Sequence, residues 1–151
     1  MGGHHKRTED SRVIEPDKGS IAIILHSGSY DRVSYAISLA TVGLAIGMEA
    51  HILLTYGGLR RFVKGHLEDI DEETDSHLKG FISKGLASGG VQSIEHQLED
   101  ARKLGLKLYA CANAMSTLNI SRNELMDEVD EVIGLVTFLK FARAATINWY
   151  I

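Results

Sequence analysis

Ile21-Ala22-Ile23-Ile24-Leu25-His26, stopped by Ser27-Gly28-Ser29, and Ala50-His51-Ile52-Leu53-Leu54-Thr55-Tyr56, stopped by Gly57-Gly58, are the two stretches on which the fold turns. Each is a short continuous apolar run closed by small, turn-forming residues, the pattern of a strand buried on both faces. Between them, Asp31 is placed to cap a helix from Arg32 to Ile46 that ends at Gly47. Val33, Ala36, Ile37, Ala40 and Leu44 form one apolar stripe on that helix, and Tyr35, Leu39, Val42 and Ile46 a second. A helix apolar on two sides asks for cover from the sheet and from a further surface, such as a neighbouring subunit. One helix joining two buried strands implies a parallel pair with a right-handed crossover.

Working outward, the pattern loosens from Leu59 to Gly90. His66 to Asp75 is acidic, and Ser76 to Leu86 reads as a short helix within an insertion able to fold over the strand ends or simply to connect. Ser93 to Leu104 is an amphipathic helix closed by Gly105. Leu106-Lys107-Leu108-Tyr109-Ala110-Cys111 is a third strand, followed by Ala112-Asn113-Ala114-Met115 and a turn. Ser121-Arg122-Asn123-Glu124 has the form of a capping box, which predicts a helix containing Leu125 and Met126. Glu131-Val132-Ile133 is a brief fourth strand. Gly134 opens a helix with Leu135, Val136, Phe138, Leu139, Phe141 and Ala142 on its apolar side. Ile147, Trp149 and Ile151 alternate with Asn148 and Tyr150 in a closing strand. The sum is a three-layer α/β sandwich with a mainly parallel sheet of about five strands, one domain over residues 19–151 behind a flexible arm of residues 1–18.

The 151 residues suffice for one domain with its own core, and a net charge of -4 opposes nucleic-acid binding. The one dense basic cluster, Leu59-Arg60-Arg61-Phe62-Val63-Lys64, suits a small anion. A single cysteine excludes an intramolecular disulfide and a CxxC redox cycle and fits a reducing compartment. The polar start from Met1 to Arg12 has no apolar core of a signal peptide, and Val33 to Met48 is too short to span a bilayer. A cytoplasmic location, away from membranes, is the expectation. His4 and His5 read as solvated tail residues. His66, His77 and His96 lack zinc-ligand spacing, so no metal or cofactor is expected.

In an open parallel sheet, ligands bind beyond the carboxyl ends of the strands. Ser27-Gly28-Ser29, Gly57-Gly58 and Cys111-Ala112-Asn113 converge there, and Cys111 is the strong nucleophile among them. A thiol at a strand end facing a helical turn has unpaired amides nearby, which favour negative charge on sulfur or on an adduct carried by it. The opposing reading is a buried, inert thiol acting as a small hydrophobe. With no second cysteine, sulfur taken up by Cys111 has to leave through a thiol on another molecule. Ser27-Gly28-Ser29 lacks the spacing of a nucleotide loop. His26, at a strand end, reads either as a general base or hydrogen-bond donor or as a structural histidine. Met115 reads as a core or pocket-lining side chain.

The opening strand ending in Ser27-Gly28, the small-residue helix through Gly47, Thr55-Tyr56-Gly57-Gly58, Lys107-Leu108-Tyr109-Ala110-Cys111-Ala112-Asn113-Ala114-Met115, Leu118-Asn119-Ile120 and Gly134-Leu135-Val136-Thr137-Phe138-Leu139 together resemble DsrE/DsrF-like proteins. The likeness covers residues 20–151 and is closest to the DsrE-like branch, some members of which carry a peroxiredoxin label. That label is discounted, because no Pro/Thr/Cys/Arg thiol-peroxidase constellation is present. The resemblance implies a homo-oligomer, a trimer or a multiple of one, that carries sulfane sulfur or thiosulfate on a strand-end cysteine. That cysteine falls on Cys111, and the turn Ala112, Asn113 and Ala114 would hold the anionic end of an adduct. Ser27, Gly28, Gly57 and Gly58 would then form the floor and rim of the pocket, Met115 would line it, and Arg60-Arg61 would attract the anion. TusA-like or rhodanese-like sulfur-relay proteins are the partners it implies. Relatives often carry glycine where Asn119 stands, and asparagine tolerates the left-handed conformation such a turn needs. The competing reading is an oligomeric module that binds a small anion or nucleotide without catalysis.

Overall fold

A computed structural model describes residues 19–70 and 72–151. The expected arm, residues 1–18, and its His4 and His5 lie outside the described residues. Five strands, β1 (Ser20–Leu25), β2 (Glu49–Leu54), β3 (Lys107–Cys111), β4 (Glu131–Ile133) and β5 (Ile147–Tyr150), form one sheet in the order β4-β3-β2-β1-β5. Every neighbouring pair is parallel. Among the described residues six helices flank it: α1 (Tyr30–Ala45), α2 (Tyr56–Arg61), α3 (Ser76–Ser88), α4 (Ile94–Lys103), α5 (Ala112–Leu118) and α6 (Leu135–Ala144).

The pairing register sorts side chains between the two faces, since successive residues of a strand point to opposite sides. Ile21, Ile23, Leu25, Ile52, Leu54, Leu108 and Ala110 lie on the face covered by α1 and α4, and all are buried. Val33, Ala36, Ile37 and Ala40 of α1 complete that layer with Ile94, Leu98 and Ala101 of α4. The opposite face is covered by α6. There Phe141 stacks on Tyr109, Phe138 meets it edge-on, and His51 lies 4.8 Å from Phe141 by ring centroids. His51 Nδ1 is 2.8 Å from the Tyr109 hydroxyl, so this apolar layer keeps its polar groups partnered. Burial, and then the negative charges of Glu131, Asp130 and Glu49, push the Tyr109 phenol up to about 12.

Several local expectations are corrected. Ser29, not Asp31, caps α1, and Asp31 sits in the first turn, where a carboxylate still suits the positive end of the helix. The second strand stops at Leu54, and Tyr56-Gly57-Gly58-Leu59 opens a helix instead of a loop. The Ser121–Glu124 capping box is real but opens only the 3-10 turn Arg122–Glu124. Leu125 is extended there, because it bridges to Val63 across the fold. On α6, Leu135, Val136 and Leu139 are exposed, leaving Phe138 as the buried residue of the helix.

Candidate functional site

Cys111 is the last residue of β3 and the cap of α5, with extended backbone (φ -74°, ψ 114°). Leu108 and Ala110 face α1 and α4, so alternation turns Tyr109 and Cys111 toward the α6 side. Cys111 pairs in register with Ile133, and the next residue on β4's strand, Gly134, caps α6. Two helices therefore begin beside this thiol, and the amides of their first turns have no partners within their own helices. The side chain is 3% exposed. Ala114 and Met115 are buried on the next turn, while Asn113 is exposed.

A cavity of about 280 Å³ opens at the same end of the sheet. Its wall includes Gly28, Gly57, Arg60, His66, Glu73, Asn119 and Glu124, and does not include Cys111. Gly28 and Gly57 pack so closely that a side chain on Gly57 would lie 2.6 Å from the Gly28 nitrogen and from a Glu73 carboxylate oxygen. The exits of β1 and β2 therefore touch, and Glu73 lies over the contact. Ser27 turns aside: its hydroxyl donates to that of Ser29 and accepts the Ser29 amide, which rigidifies the turn into α1. Gly58 packs under Leu25. Asn119 takes the left-handed conformation expected of it, with φ 54° and ψ 46°. The Ser121 amide and hydroxyl hold the Glu124 carboxyl below its ordinary range.

The two arginines of the basic cluster part company. Arg60 is exposed at the cavity wall. Arg61 is 3% exposed, and its guanidinium donates to the carbonyls of Gly28, Leu67 and Asp69 while lying 5.6 Å from the centre of the Tyr30 ring. It braces the acidic stretch against the β1 exit.

That stretch has a structural logic the sequence did not reveal. Glu68 accepts the Glu95 amide at 2.7 Å, the Ile94 amide at 3.3 Å and the Tyr30 hydroxyl at 2.7 Å, so one carboxylate caps α4 from outside. The Thr74 hydroxyl accepts the Tyr30 amide at the start of α1. Burial, then the bond and charge of Glu68, raise the Tyr30 phenol well above its ordinary range. Among the described residues no group of three or more His, Cys, Asp and Glu side chains is placed to hold a metal ion, and no helix is long and apolar enough to cross a membrane.

The model of the DsrE/DsrF/DrsH-like family matches residues 72–150, a span that runs from the cavity wall through Cys111 to β5. This chain belongs to that family. The uncharacterized protein YrkE of Bacillus subtilis (strain 168) is 25% identical over 159 residues, covering 85% of this chain and 94% of its own. The sulfur carrier protein DsrE2 of Allochromatium vinosum is 26% identical over 159 residues, covering 89% of this chain and 99% of its own. The fold matches that of MTH1491 from Methanobacterium thermoautotrophicum, a protein of unknown function, with a TM-score of 0.56 at 14% identity, over 89% of this chain and all of that one.

Proposed function

We propose that this DsrE-like protein is a sulfur carrier, or a sulfurtransferase, that holds sulfane sulfur or a thiosulfonate on Cys111 and passes it to a thiol of a partner. One observation carries the reading: in a chain of this family, the sole cysteine stands at the carboxyl end of β3, between the first turns of α5 and α6. Amides at helix starts favour an anion, and both a persulfide and a thiosulfonate are anionic. The similarity to a sulfur carrier, at 26% identity, supports the same class of chemistry. Attack by the Cys111 thiolate on the sulfane sulfur of a donor forms an S–S bond and expels the donor's leaving group. Attack by the partner's thiolate on that sulfur returns Cys111 as thiolate, so the cycle needs no second cysteine in this chain.

Self-assembly belongs to the proposal. Tyr35, Val42 and Ile46, the second stripe of α1, are 64%, 62% and 54% exposed, and no charged residue lies between Val33 and Met48. A charge-free apolar helix face of this length suits contact with further copies of the chain. In the cell, the proposed partners are thiol proteins of the TusA-like or rhodanese-like kind, and the proposed compartment is the reducing cytoplasm.

Intact-protein mass spectrometry after incubation with polysulfide, thiosulfate or tetrathionate tests the assignment. Sulfur or thiosulfonate adducts are expected on the wild type, absent in Cys111→Ser, and removed by a second thiol. Uptake by Cys111→Ser equal to wild type would overturn it. A second reading is a module that binds a small anion or nucleotide without covalent chemistry: Arg60 and His66 line the cavity beside the carboxylates of Asp69, Glu73 and Glu124, and Cys111 does not line it. Anion-dependent thermal stabilisation, with Cys111 unreactive toward alkylating agents until unfolding, is the result that favours this second reading.

A further inference from the structure

Three strands end on one row. The pairing Leu25–Leu54–Ala110 is the last register shared by β1, β2 and β3, and the next residues along are His26, Thr55 and Cys111. Alternation puts all three on the α6 side of the sheet. Ladder bonds continue past the strand ends here: the Thr55 amide donates to Leu25 and the Gly58 amide to His26. His26 and Cys111 are thus two strand spacings apart, about 10 Å between Cα atoms, with Thr55 between them.

The His26 end of the row is built. Tyr56 adopts the left-handed conformation at φ 46°, uncommon for a bulky aromatic residue. Its ring lies 5.2 Å from the His26 ring, and the ring of Tyr150 at the end of β5 lies 5.8 Å from it. The end of β1 is tied to the residue after β5 by the His26 and Ser27 amides, both donating to the Ile151 carbonyl. An exposed imidazole in contact with two phenol rings, its own amide tied down, offers a hydrogen-bonding head at the open end of a row whose buried end is the thiol.

We propose that His26 is a substrate-specificity residue of the Cys111 site, gripping the distal sulfonate of a thiosulfonate carried by Cys111. This rests on the reading of Cys111 as the carrier thiol. Strand side chains stand roughly perpendicular to the sheet, so this spacing holds thiol and imidazole apart across Thr55. It suits an adduct that adds two sulfurs and an oxygen beyond Sγ, and it is out of reach of a one-sulfur persulfide. With tetrathionate the loading step balances: the Cys111 thiolate attacks an inner sulfur, the central S–S bond breaks, thiosulfate leaves, and Cys111 carries S–SO3 with its negative charge. A ring N–H of His26 then donates to a sulfonate oxygen, a charge-assisted bond.

The test compares wild type with His26→Ala and His26→Gln, reading three rates at Cys111: thiosulfonate formation from tetrathionate, persulfide formation from polysulfide, and alkylation by neutral iodoacetamide. Loss of a hydrogen bond to a charged group is expected to slow thiosulfonate formation roughly ten- to hundredfold in His26→Ala. The amide donor of His26→Gln restores part of it, and the other two rates stay within about twofold in both variants. Equal slowing of all three rates would assign His26 a structural role and overturn the proposal. So would wild-type thiosulfonate formation in His26→Ala, which leaves the carrier reading intact. A wild-type protein that takes up no sulfur from either reagent would overturn the carrier reading and this one with it.

Discussion

Where a side chain is forbidden, the geometry is easiest to test. A Cβ on Gly58 would run into the backbone carbonyl of Leu25, and a strand's backbone cannot swing away as a flexible side chain can. Gly58→Ala is expected to destabilise the fold by about 1–3 kcal/mol, the usual range for overpacking a tight contact. In urea this appears as a lower midpoint with an unchanged slope, and an unchanged midpoint would show that the β1 exit yields. At this scale the sequence is legible for residue type and silent on partners. Arg60 and Arg61 look alike in sequence, yet adjacent helix positions point about 100° apart. One therefore meets solvent, while the other is drawn under the loop by the carbonyls of Gly28, Leu67 and Asp69. The strand-end position of Cys111 was readable from the apolar run before it. Its separation from the cavity was not, because the side of the sheet depends on a register that only pairing defines.

The acidic stretch acts as an element although it has little regular structure. Glu68 adds to the local Ser93 cap of α4 by accepting the Ile94 and Glu95 amides, and it also fixes the Tyr30 hydroxyl at the start of α1. Glu68→Ala is expected to lower stability by about 1–2 kcal/mol, the cost of a lost cap with a buried hydroxyl left to find a new partner. The same variant should lower the Tyr30 titration toward the ordinary phenol range, because two of the influences raising it belong to Glu68. The shift is expected to be partial, since burial, the largest cause, remains. A tyrosinate titration that leaves Tyr30 where it was would deny the Glu68 bond. No periodicity announces such a strap: the partners of Glu68 lie 26 to 38 residues away in sequence. The β-α-β unit was legible because its signal is local, an apolar run, a stripe and a stop. Helix α2 was hidden for the opposite reason. Gly57 and Gly58 have poor helix propensity and read as terminators, and the tight approach of the β1 and β2 exits selects them for their lack of a side chain.

For the whole molecule, the two faces of the sheet are closed differently, and each keeps one phenol out of water. Tyr30 lies on the α1 side under the acidic strap, and Tyr109 on the α6 side among Phe138, Phe141 and His51. Tyr109 is held up to about 12, first by burial and then by Glu131, Asp130 and Glu49, while in the unfolded chain a tyrosine ionises near pH 10. Between these values the unfolded chain has released the proton and the folded protein has not. Stability contributed by the neutral phenol is therefore complete below about pH 10 and is lost as pH rises toward 12. Tyr30, raised in the same direction, adds to the same loss. Denaturant midpoints are thus expected to hold up to about pH 10 and then fall, with tyrosinate absorbance showing that two of the five tyrosines ionise only as the fold opens. Glu131→Gln separates the causes for Tyr109: removing one negative charge should lower its titration while most of the burial shift survives. Ionisation of all five phenols near pH 10 with the fold intact would mean that neither face excludes water as the packing requires.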